Sequence, residues 1–418
     1  MKKGRILAVM LCCFTIGACA ACGPAEDESE KDTFPYYTLK TERKTDGQLY
    51  TGSGVNFPSS LWEEPVSERY EALDRGKVKA YFIDSVAGTK VFCYVGIPET
   101  ASEQNKVPGV VLVHGATGSA FYDWVEAWMD KGYAAIAMDT EGRMPTPATS
   151  LYHADYPYQT SVKTHGPVNA SFGDSTKPIE EQWAYHALAS VIASNSFLAG
   201  FEEVDAERIG ITGVSYGGFL ACLAAGYDDR FAFGAPVYGC LSNAPSAAEF
   251  GSYINRNSGA EVWDGLGPLQ ENRTPMLFVN SDTDGHFAPD STSRCAAACK
   301  FGAMTLVPGL THGHSQGAEV SEVFAFADEI CKEKTPLVRV TEQPEEGAMR
   351  IAIPKGVNIK NVKLRYTLQE TLNKDTEWFS EDAETDGEYV YYSRENNKKH
   401  CYLNCKDDRG FLVSSLLF

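Results

Sequence analysis

Positive charge is scarce in this chain. Its 418 residues include 37 Lys and Arg against 56 Asp and Glu, which gives a formal net charge of −19. A surface of that sign repels phosphate backbones, because nucleic-acid binding depends on Lys and Arg neutralising phosphates. The composition therefore excludes nucleic acid as the expected partner.

An apolar run long enough to cross a bilayer is also missing from the N-terminus, where the apolar residues 6–16 are too few for a comfortable span. A cluster of basic residues precedes this run, and small residues and cysteines follow it, as in an export signal. Ile16-Gly-Ala-Cys19 resembles a bacterial lipobox, whose cysteine becomes the lipidated first residue of the mature protein. Cys22 is a weaker candidate for the lipidated cysteine. We expect residues 1–22 to be a lipoprotein signal peptide. The protein would then be extracytoplasmic and would touch the bacterial cell membrane only through a lipid on Cys19.

Cysteine pairs with metal-binding spacing are absent. Four of the twelve cysteines belong to the predicted signal, and the other eight do not fall into such pairs. Two short motifs, Asp284-Gly-His286 and His312-Gly-His314, could form a zinc site only if their loops met and served no other chemistry. We expect no metal and no cofactor.

Strand and helix patterns divide the chain into regions. Residues 23–75 are polar and rich in Pro, Ser and Gly, and they predict a tether and an irregular lead-in. Over residues 76–334, apolar strands alternate with segments of helical period. This alternation predicts an α/β domain with a doubly wound, mostly parallel sheet and helices on both faces. Residues 335–418 contain only short alternating segments, which predict a small C-terminal β-sandwich.

Two segments match Gly-x-Ser-x-Gly, but only one has the setting of a nucleophile. The strand 208–212 runs directly into Gly213-Val-Ser-Tyr-Gly217, and a helix rich in small residues follows at once. A serine on such a turn presents its hydroxyl at a helix N-terminus, where N–H groups stabilise negative charge. In Gly313-His-Ser-Gln-Gly317 a Pro-Gly segment separates the serine from its preceding strand, which ends at Val307. Ser215 is therefore the predicted nucleophile.

A serine hydroxyl needs an imidazole to remove its proton and an acid to orient that imidazole. After a nucleophile of this kind the chain order is Ser, then Asp or Glu, then His, each beyond a strand end. We favour Asp284 because it lies several residues past its strand and shortly before a Pro-started helix. We favour His312 because it is the histidine nearer its strand end. Asp282 and His314 remain the alternative catalytic residues.

Acyl transfer also needs an oxyanion hole, formed by two N–H donors aimed at the developing charge. The residue after the nucleophile, Tyr216, would supply one backbone N–H. The loop His114-Gly-Ala-Thr-Gly118 would supply the other, and we assign it to Ala116.

Four motifs carry a family resemblance: His114-Gly-Ala-Thr-Gly118, Gln182-Trp-Ala-Tyr-His186, Ala235-Pro-Val-Tyr-Gly-Cys240 and the run from Val204 to Gly218. Together they resemble the acetyl xylan esterase-like and prolyl-oligopeptidase-like branch of the α/β-hydrolases. The resemblance covers roughly residues 77–333, and the C-terminal segment is similar to small β-domains that trail such bacterial proteins.

The resemblance implies an α/β-hydrolase fold and a serine esterase that removes acetyl groups from carbohydrate. Its substrate would be a small-molecule or oligosaccharide ester. Because the same branch includes peptidases, a serine peptidase of the prolyl-oligopeptidase-like type is the first alternative. A non-catalytic carbohydrate-binding protein on the cell surface is a hypothesis from another class.

Overall fold

The computed structural model describes residues 47–153, 155–168, 172–242, 259–345, 347–393 and 395–418. The predicted signal peptide, with Cys19 and Cys22, and most of the predicted tether lie outside these ranges. Within them, no helix is both long enough and apolar enough to cross a membrane. The eight cysteines that the ranges include are buried and free.

The first part of the chain forms a large sheet with helices on both faces and a separate two-stranded ribbon. Its strands are β1 Ser67–Arg69, β2 Lys79–Asp84, β3 Lys90–Gly96, β4 Val107–Val113, β5 Ala134–Met138, β6 Arg143–Pro145, β7 Tyr158–Thr160, β8 Val204–Val214, β9 Gly234–Val237, β10 Met276–Asn280 and β11 Gly302–Leu306. Its helices are α1 Tyr122–Asp130, α2 Trp183–Ala199, α3 Tyr216–Tyr227, α4 Leu266–Glu271, α5 Pro289–Ala298, α6 His314–Ala318 and α7 Ser321–Lys332.

The strand order is β1-β2-β3-β5-β4-β8-β9-β10-β11, and β6 and β7 form a separate ribbon. The strands from β5 to β11 run parallel, whereas β1, β2 and β3 pair antiparallel at one edge. Parallel strands covered by helices on both faces are buried throughout, and every residue of β4 and β5 is buried. The predicted α/β-hydrolase fold class is confirmed.

Alternate residues of the central strands face opposite cores. Val111 and Val113 pack in a cluster with α2 and α3, and Val110 and Leu112 pack in a second cluster with α1 and α7. Each such side chain contributes on the order of 1.5–3 kcal/mol when fully buried. This double burial explains why the strand reads as a continuous apolar run.

The C-terminal region consists of strands joined by turns and loops, with no helix in the described residues. Its strands are β12 Arg339–Glu345, β13 Ala348–Ala352, β14 Ile359–Thr367, β15 Phe379–Thr385, β16 Tyr389–Tyr391, β17 His400–Asp407 and β18 Leu412–Ser414. They enclose a core of their own that includes Ile351, Leu364 and Leu403. The region is also joined to the hydrolase sheet, because β18 pairs antiparallel with β11.

One local feature differs from the sequence-based expectations. The predicted irregular lead-in is not wholly irregular, since β1 pairs with β2. Strand β15 shows how weak the sequence signal of an exposed strand can be: most of its side chains are exposed and polar, so it lacks the apolar alternation that marks a half-buried strand.

Candidate active site

Ser215 lies at the turn between β8 and α3. Its backbone has φ 57 and ψ −122, a conformation that a residue with a side chain rarely adopts. The turn also needs glycine on both sides. A Cβ at Gly213 would come within 2.2 Å of the carbonyl oxygen of Gly217, and a Cβ at Gly217 within 1.9 Å of that of Val113. The Gly-x-Ser-x-Gly spacing is therefore a steric requirement of this turn.

Three predicted side chains meet at the carboxyl ends of the parallel strands. Ser215 Oγ lies 3.0 Å from His312 Nε2, and His312 Nδ1 lies 2.7 Å from Asp284 Oδ2. In this arrangement the Nδ1–H of the imidazole donates to the carboxylate, which leaves Nε2 to accept the serine proton. The chain of two hydrogen bonds is the geometry that activates a serine for nucleophilic attack.

The second oxygen of Asp284 is held by the backbone. Asp284 Oδ1 accepts from the N–H of His286 at 2.8 Å and from the N–H of Phe287 at 2.7 Å. The carboxylate is almost fully buried, with 3% of the residue exposed. Both oxygens are thus fixed, so the acid has one orientation towards His312.

The ring of His312 is packed by Tyr238, a residue for which the sequence gave no specific role. The two ring centroids are 4.3 Å apart, and the Tyr238 hydroxyl donates to the carbonyl oxygen of Gly313. Burial raises the pKa of Tyr238, which keeps the hydroxyl protonated as a donor. Tyr238 has φ 33, another left-handed backbone at the end of β9. The tyrosine fixes both the face of the imidazole and the chain beside it.

The alternative residues lie elsewhere. Asp282 accepts hydrogen bonds from Arg365 and Tyr402 of the C-terminal region. His314 Nε2 accepts the N–H of Gly115 at 3.0 Å. Ser315, in the second Gly-x-Ser-x-Gly match, lies in α6 and its hydroxyl donates to the neighbouring Gln316. The structure brings together Ser215, His312 and Asp284, and gives these other side chains different partners.

The loop that carries Ala116 is held on both sides. Before it, the N–H of Gly115 donates to His314; after it, the N–H of Thr117 donates to Glu141 Oε1 at 3.2 Å. His114 completes the support, because its Nδ1 lies 2.7 Å from the Gly115 carbonyl oxygen. A Cβ at Gly115 would come within 3.0 Å of Ser215 Cβ, so the loop passes directly beside the nucleophile.

Burial shapes the chemistry of His314. Burial, reinforced by the neighbouring His114, lowers the pKa of His314 to about 3. The imidazole is therefore neutral at ordinary pH and can accept the N–H of Gly115. A role for this second histidine as a loop support was not visible from its spacing alone.

The pair of Asp-His and His-His motifs does not assemble into a metal centre. Among the residues that the structure describes, no group of three or more His, Cys, Asp or Glu side chains is placed to hold a metal ion. Asp284 and His312 bond to each other, and His314 is turned towards Gly115.

Comparisons with known proteins found one family match and several similar solved structures. The model of the prolyl oligopeptidase family matches residues 172–334. An acetyl xylan esterase from Paenibacillus sp. R4 is 21% identical, covering 61% of this chain and 85% of its own, with a TM-score of 0.45. Acetyl xylan esterase 1 from Thermoanaerobacterium sp. JW/SL YS485 is 16% identical, covering 65% and 88%, with a TM-score of 0.47. An acylaminoacyl peptidase from Pyrococcus horikoshii is 17% identical, covering 62% and 43%, with a TM-score of 0.46.

The sheet order and the serine turn define the chain as an α/β-hydrolase. The prolyl oligopeptidase family match over residues 172–334 is a similarity of part of this domain, and the chain is a serine hydrolase.

Proposed function

We propose that this protein hydrolyses carboxylic esters through an acyl-enzyme formed on Ser215. The observation that carries the proposal is the continuous path from Ser215 Oγ through the His312 imidazole to Asp284, with hydrogen-bond distances of 3.0 and 2.7 Å. Short, aligned contacts of this kind allow proton transfer to proceed with attack.

In the first half of the reaction, Ser215 Oγ attacks the carbonyl carbon and His312 Nε2 takes the hydroxyl proton. Asp284 stabilises the imidazolium that forms and keeps its orientation. The backbone N–H groups of Ala116 and Tyr216 stabilise the negative oxygen of the tetrahedral intermediate. The intermediate expels the alcohol, which receives the proton from His312.

In the second half, a water molecule gives a proton to His312 and attacks the acyl carbon. The new tetrahedral intermediate breaks its bond to Ser215 Oγ, which recovers a proton from the imidazole. The acid is released and the enzyme returns to its starting state. The chain's own side chains supply every proton transfer, so no cofactor is part of this scheme.

We propose acetyl esters of carbohydrate as the substrate class, on the strength of the four motifs shared with the acetyl xylan esterase-like branch. An ester is also the easier target for this machinery, because its carbonyl is less stabilised by resonance than that of an amide and an alkoxide leaves more readily than an unprotonated amide nitrogen. A screen of acetylated oligosaccharides for released acetate tests the substrate class. Hydrolysis of simple aryl acetates without release of acetate from any acetylated sugar would contradict it.

A serine peptidase is the second candidate, and the family match over residues 172–334 is the observation that favours it. The two activities are separated by comparing kcat/KM for a short-chain aryl ester with kcat/KM for an aminoacyl anilide. We expect the ester to be cleaved faster. Faster cleavage of the anilide would replace the esterase by the peptidase.

A non-catalytic carbohydrate-binding role makes a different prediction. A fluorophosphonate labels an activated serine covalently, whereas a scaffold that only binds sugar stays unlabelled. We expect stoichiometric labelling that is lost in Ser215→Ala.

We also propose that the protein is lipid-anchored outside the cytoplasm through Cys19. The basis is the N-terminal sequence alone. Globomycin, which blocks lipoprotein signal cleavage, should cause the precursor to accumulate in a bacterial host. Unchanged processing in its presence would remove the anchor, and Cys19→Ala tests the register against Cys22→Ala.

A further inference from the structure

The second aspartate of the acid loop is an anchor point for the C-terminal region. Asp282 is 2% exposed, and one of its carboxylate oxygens accepts from Arg365 Nη2 at 2.8 Å and from the Tyr402 hydroxyl at 2.9 Å. Its main-chain carbonyl accepts from Trp378 Nε1 at 2.8 Å. Three donors from the C-terminal strands and their connection therefore converge on a residue two positions before Asp284.

These contacts form one packed unit. The Trp378 and Tyr402 rings lie edge to face with centroids 5.2 Å apart. Burial lowers the pKa of Arg365, but its hydrogen bonds and charge interactions with Asp282 and Tyr402 together outweigh burial, so the pKa lies above its ordinary value and the guanidinium stays charged. A buried carboxylate is stable only with such a partner. The ion pair consequently ties β14 to the acid loop.

The same region contacts the loop at Gly285. A Cβ placed there would lie 3.0 Å from the Cβ of Lys374, so the chain before Trp378 covers the residue that follows Asp284. The acid loop is thus bounded by C-terminal residues on both sides of Asp284.

The strand that leads to His312 has a second connection to the C-terminal region. Ser414 of β18 is the partner of Met304 in β11, and the Ser414 hydroxyl accepts the N–H of Leu306 at 2.8 Å. The side-chain amide of Asn404 donates to the Leu306 carbonyl oxygen at 3.2 Å. The end of β11, from which the His312 loop departs, is therefore fixed by β17 and β18.

We propose that the C-terminal strands are part of the active-site scaffold, and that Arg365, Trp378 and Tyr402 are positioning residues that hold Asp284 against His312 by way of Asp282. The inference rests on the proposed Ser-His-Asp mechanism. In this proposal Asp282 connects the acid loop to the C-terminal region. Turnover then depends on side chains that lie about a hundred residues further along the chain.

The proposal predicts a specific effect on turnover. Loss of the Arg365 guanidinium leaves the Asp282 carboxylate buried without its cation, so the acid loop must shift to solvate it. Small displacements of catalytic groups cost about 10- to 100-fold in rate. We expect Arg365→Met to lower kcat by about that factor while KM for an aryl acetate stays within about threefold, because the side chain of Arg365 bonds to Asp282 and not to Ser215 or His312.

A matched control exists in the same region. Arg409 pairs with Asp407, which is 1% exposed, and also donates to the carbonyl oxygens of Thr335 and Pro336. Arg409→Met likewise leaves a buried aspartate, Asp407, without its positively charged partner, but the contacts of Arg409 lie away from the acid loop. It should lower the melting temperature without lowering kcat.

The experiment measures kcat, KM and melting temperature for full-length wild type, Arg365→Met, Arg365→Lys and Arg409→Met. Lysine restores a cation at the single contact with Asp282, so we expect it to recover most of the lost kcat. Trp378→Phe keeps an aromatic ring but removes the hydrogen bond from Nε1 to the Asp282 carbonyl oxygen, and it should show a smaller kcat loss. This variant tests the positioning role if Arg365→Met does not fold.

The outcomes separate the two proposals. A wild type that cleaves no ester contradicts the proposed function itself. An active wild type whose Arg365→Met variant turns over as fast as Arg409→Met contradicts the positioning role. Should Arg365→Met be insoluble, an unchanged kcat in Trp378→Phe contradicts it equally.

Discussion

Replacing Asp284 by asparagine should abolish turnover by placing a proton on the wrong imidazole nitrogen. In the structure Asp284 Oδ1 accepts two backbone N–H groups, from His286 and Phe287, at 2.8 and 2.7 Å. Only an oxygen can occupy that position. The amide oxygen of an asparagine must therefore take it, and the NH₂ group then points at His312 Nδ1.

The consequence follows from tautomer balance. At the present distance of 2.7 Å, an NH₂ group facing His312 Nδ1 must donate a hydrogen bond to it. Nδ1 can accept that bond only when it carries no proton, so the imidazole proton moves to Nε2. Nε2 can then no longer accept the Ser215 proton. A wrong tautomer in such a triad costs about 10⁴ in kcat, equivalent to about 5.5 kcal/mol of transition-state stabilisation.

The assay is kcat and KM for an aryl acetate at pH 7, with Asp282→Asn as the matched control. An asparagine at 282 still offers an oxygen to Arg365 and Tyr402, although a neutral acceptor keeps only about half the strength of a charge-assisted hydrogen bond. We therefore expect kcat to fall by about tenfold, far less than in Asp284→Asn. Near-normal turnover in Asp284→Asn together with an inactive Asp282→Asn would refute the reasoning and exchange the two roles.

Three further perturbations have defined expectations. The pKa of His314 is about 3 in the folded protein, against an ordinary value of 6.5. Between these pH values the unfolded chain binds a proton that the folded protein does not, so the free energy of unfolding falls as the pH drops below 6.5. Urea unfolding should show a loss of about 2 kcal/mol for wild type between pH 6.5 and 5, and a much smaller loss for His314→Gln. Tyr238→Phe keeps the ring on His312 but loses the hydroxyl contact with Gly313, and should lower kcat about fivefold with KM unchanged, since one neutral hydrogen bond is worth about 1 kcal/mol. If the stability of His314→Gln falls with pH as steeply as that of wild type, the role of His314 as a neutral buried acceptor is refuted. Full activity in Tyr238→Phe would refute the role of the Tyr238 hydroxyl. Esterase activity should persist in the presence of a chelator; a loss of activity that zinc restores would indicate a metal site.

Much of the fold was predictable because its signals are local. The strand Val107–Val113 is a continuous apolar run because both of its faces are buried. The serine turn is recognisable because its two glycines are required where a Cβ would clash with the backbone. The order of nucleophile, acid and base follows from the topology of the sheet. These features placed Ser215, Asp284 and His312 in loops that the fold brings to one edge.

Long-range contacts were not predictable in this way. No local pattern indicates that Arg365 and Tyr402 bond to Asp282, because the pairing depends on how the C-terminal strands dock on β11. The role of His314 is similar, since its partner, the N–H of Gly115, lies 199 positions away in the chain. A single sequence shows two aspartates and two histidines as near equivalents; only their surroundings separate them.

The most direct test of the whole account is the site of covalent labelling by a fluorophosphonate, read by mass spectrometry of proteolytic peptides. We predict one label per chain on the peptide that contains Ser215, with labelling and ester turnover both lost in Ser215→Ala and both retained in Ser315→Ala. A label on Ser315, or turnover that survives Ser215→Ala, would contradict the mechanism proposed for this hydrolase.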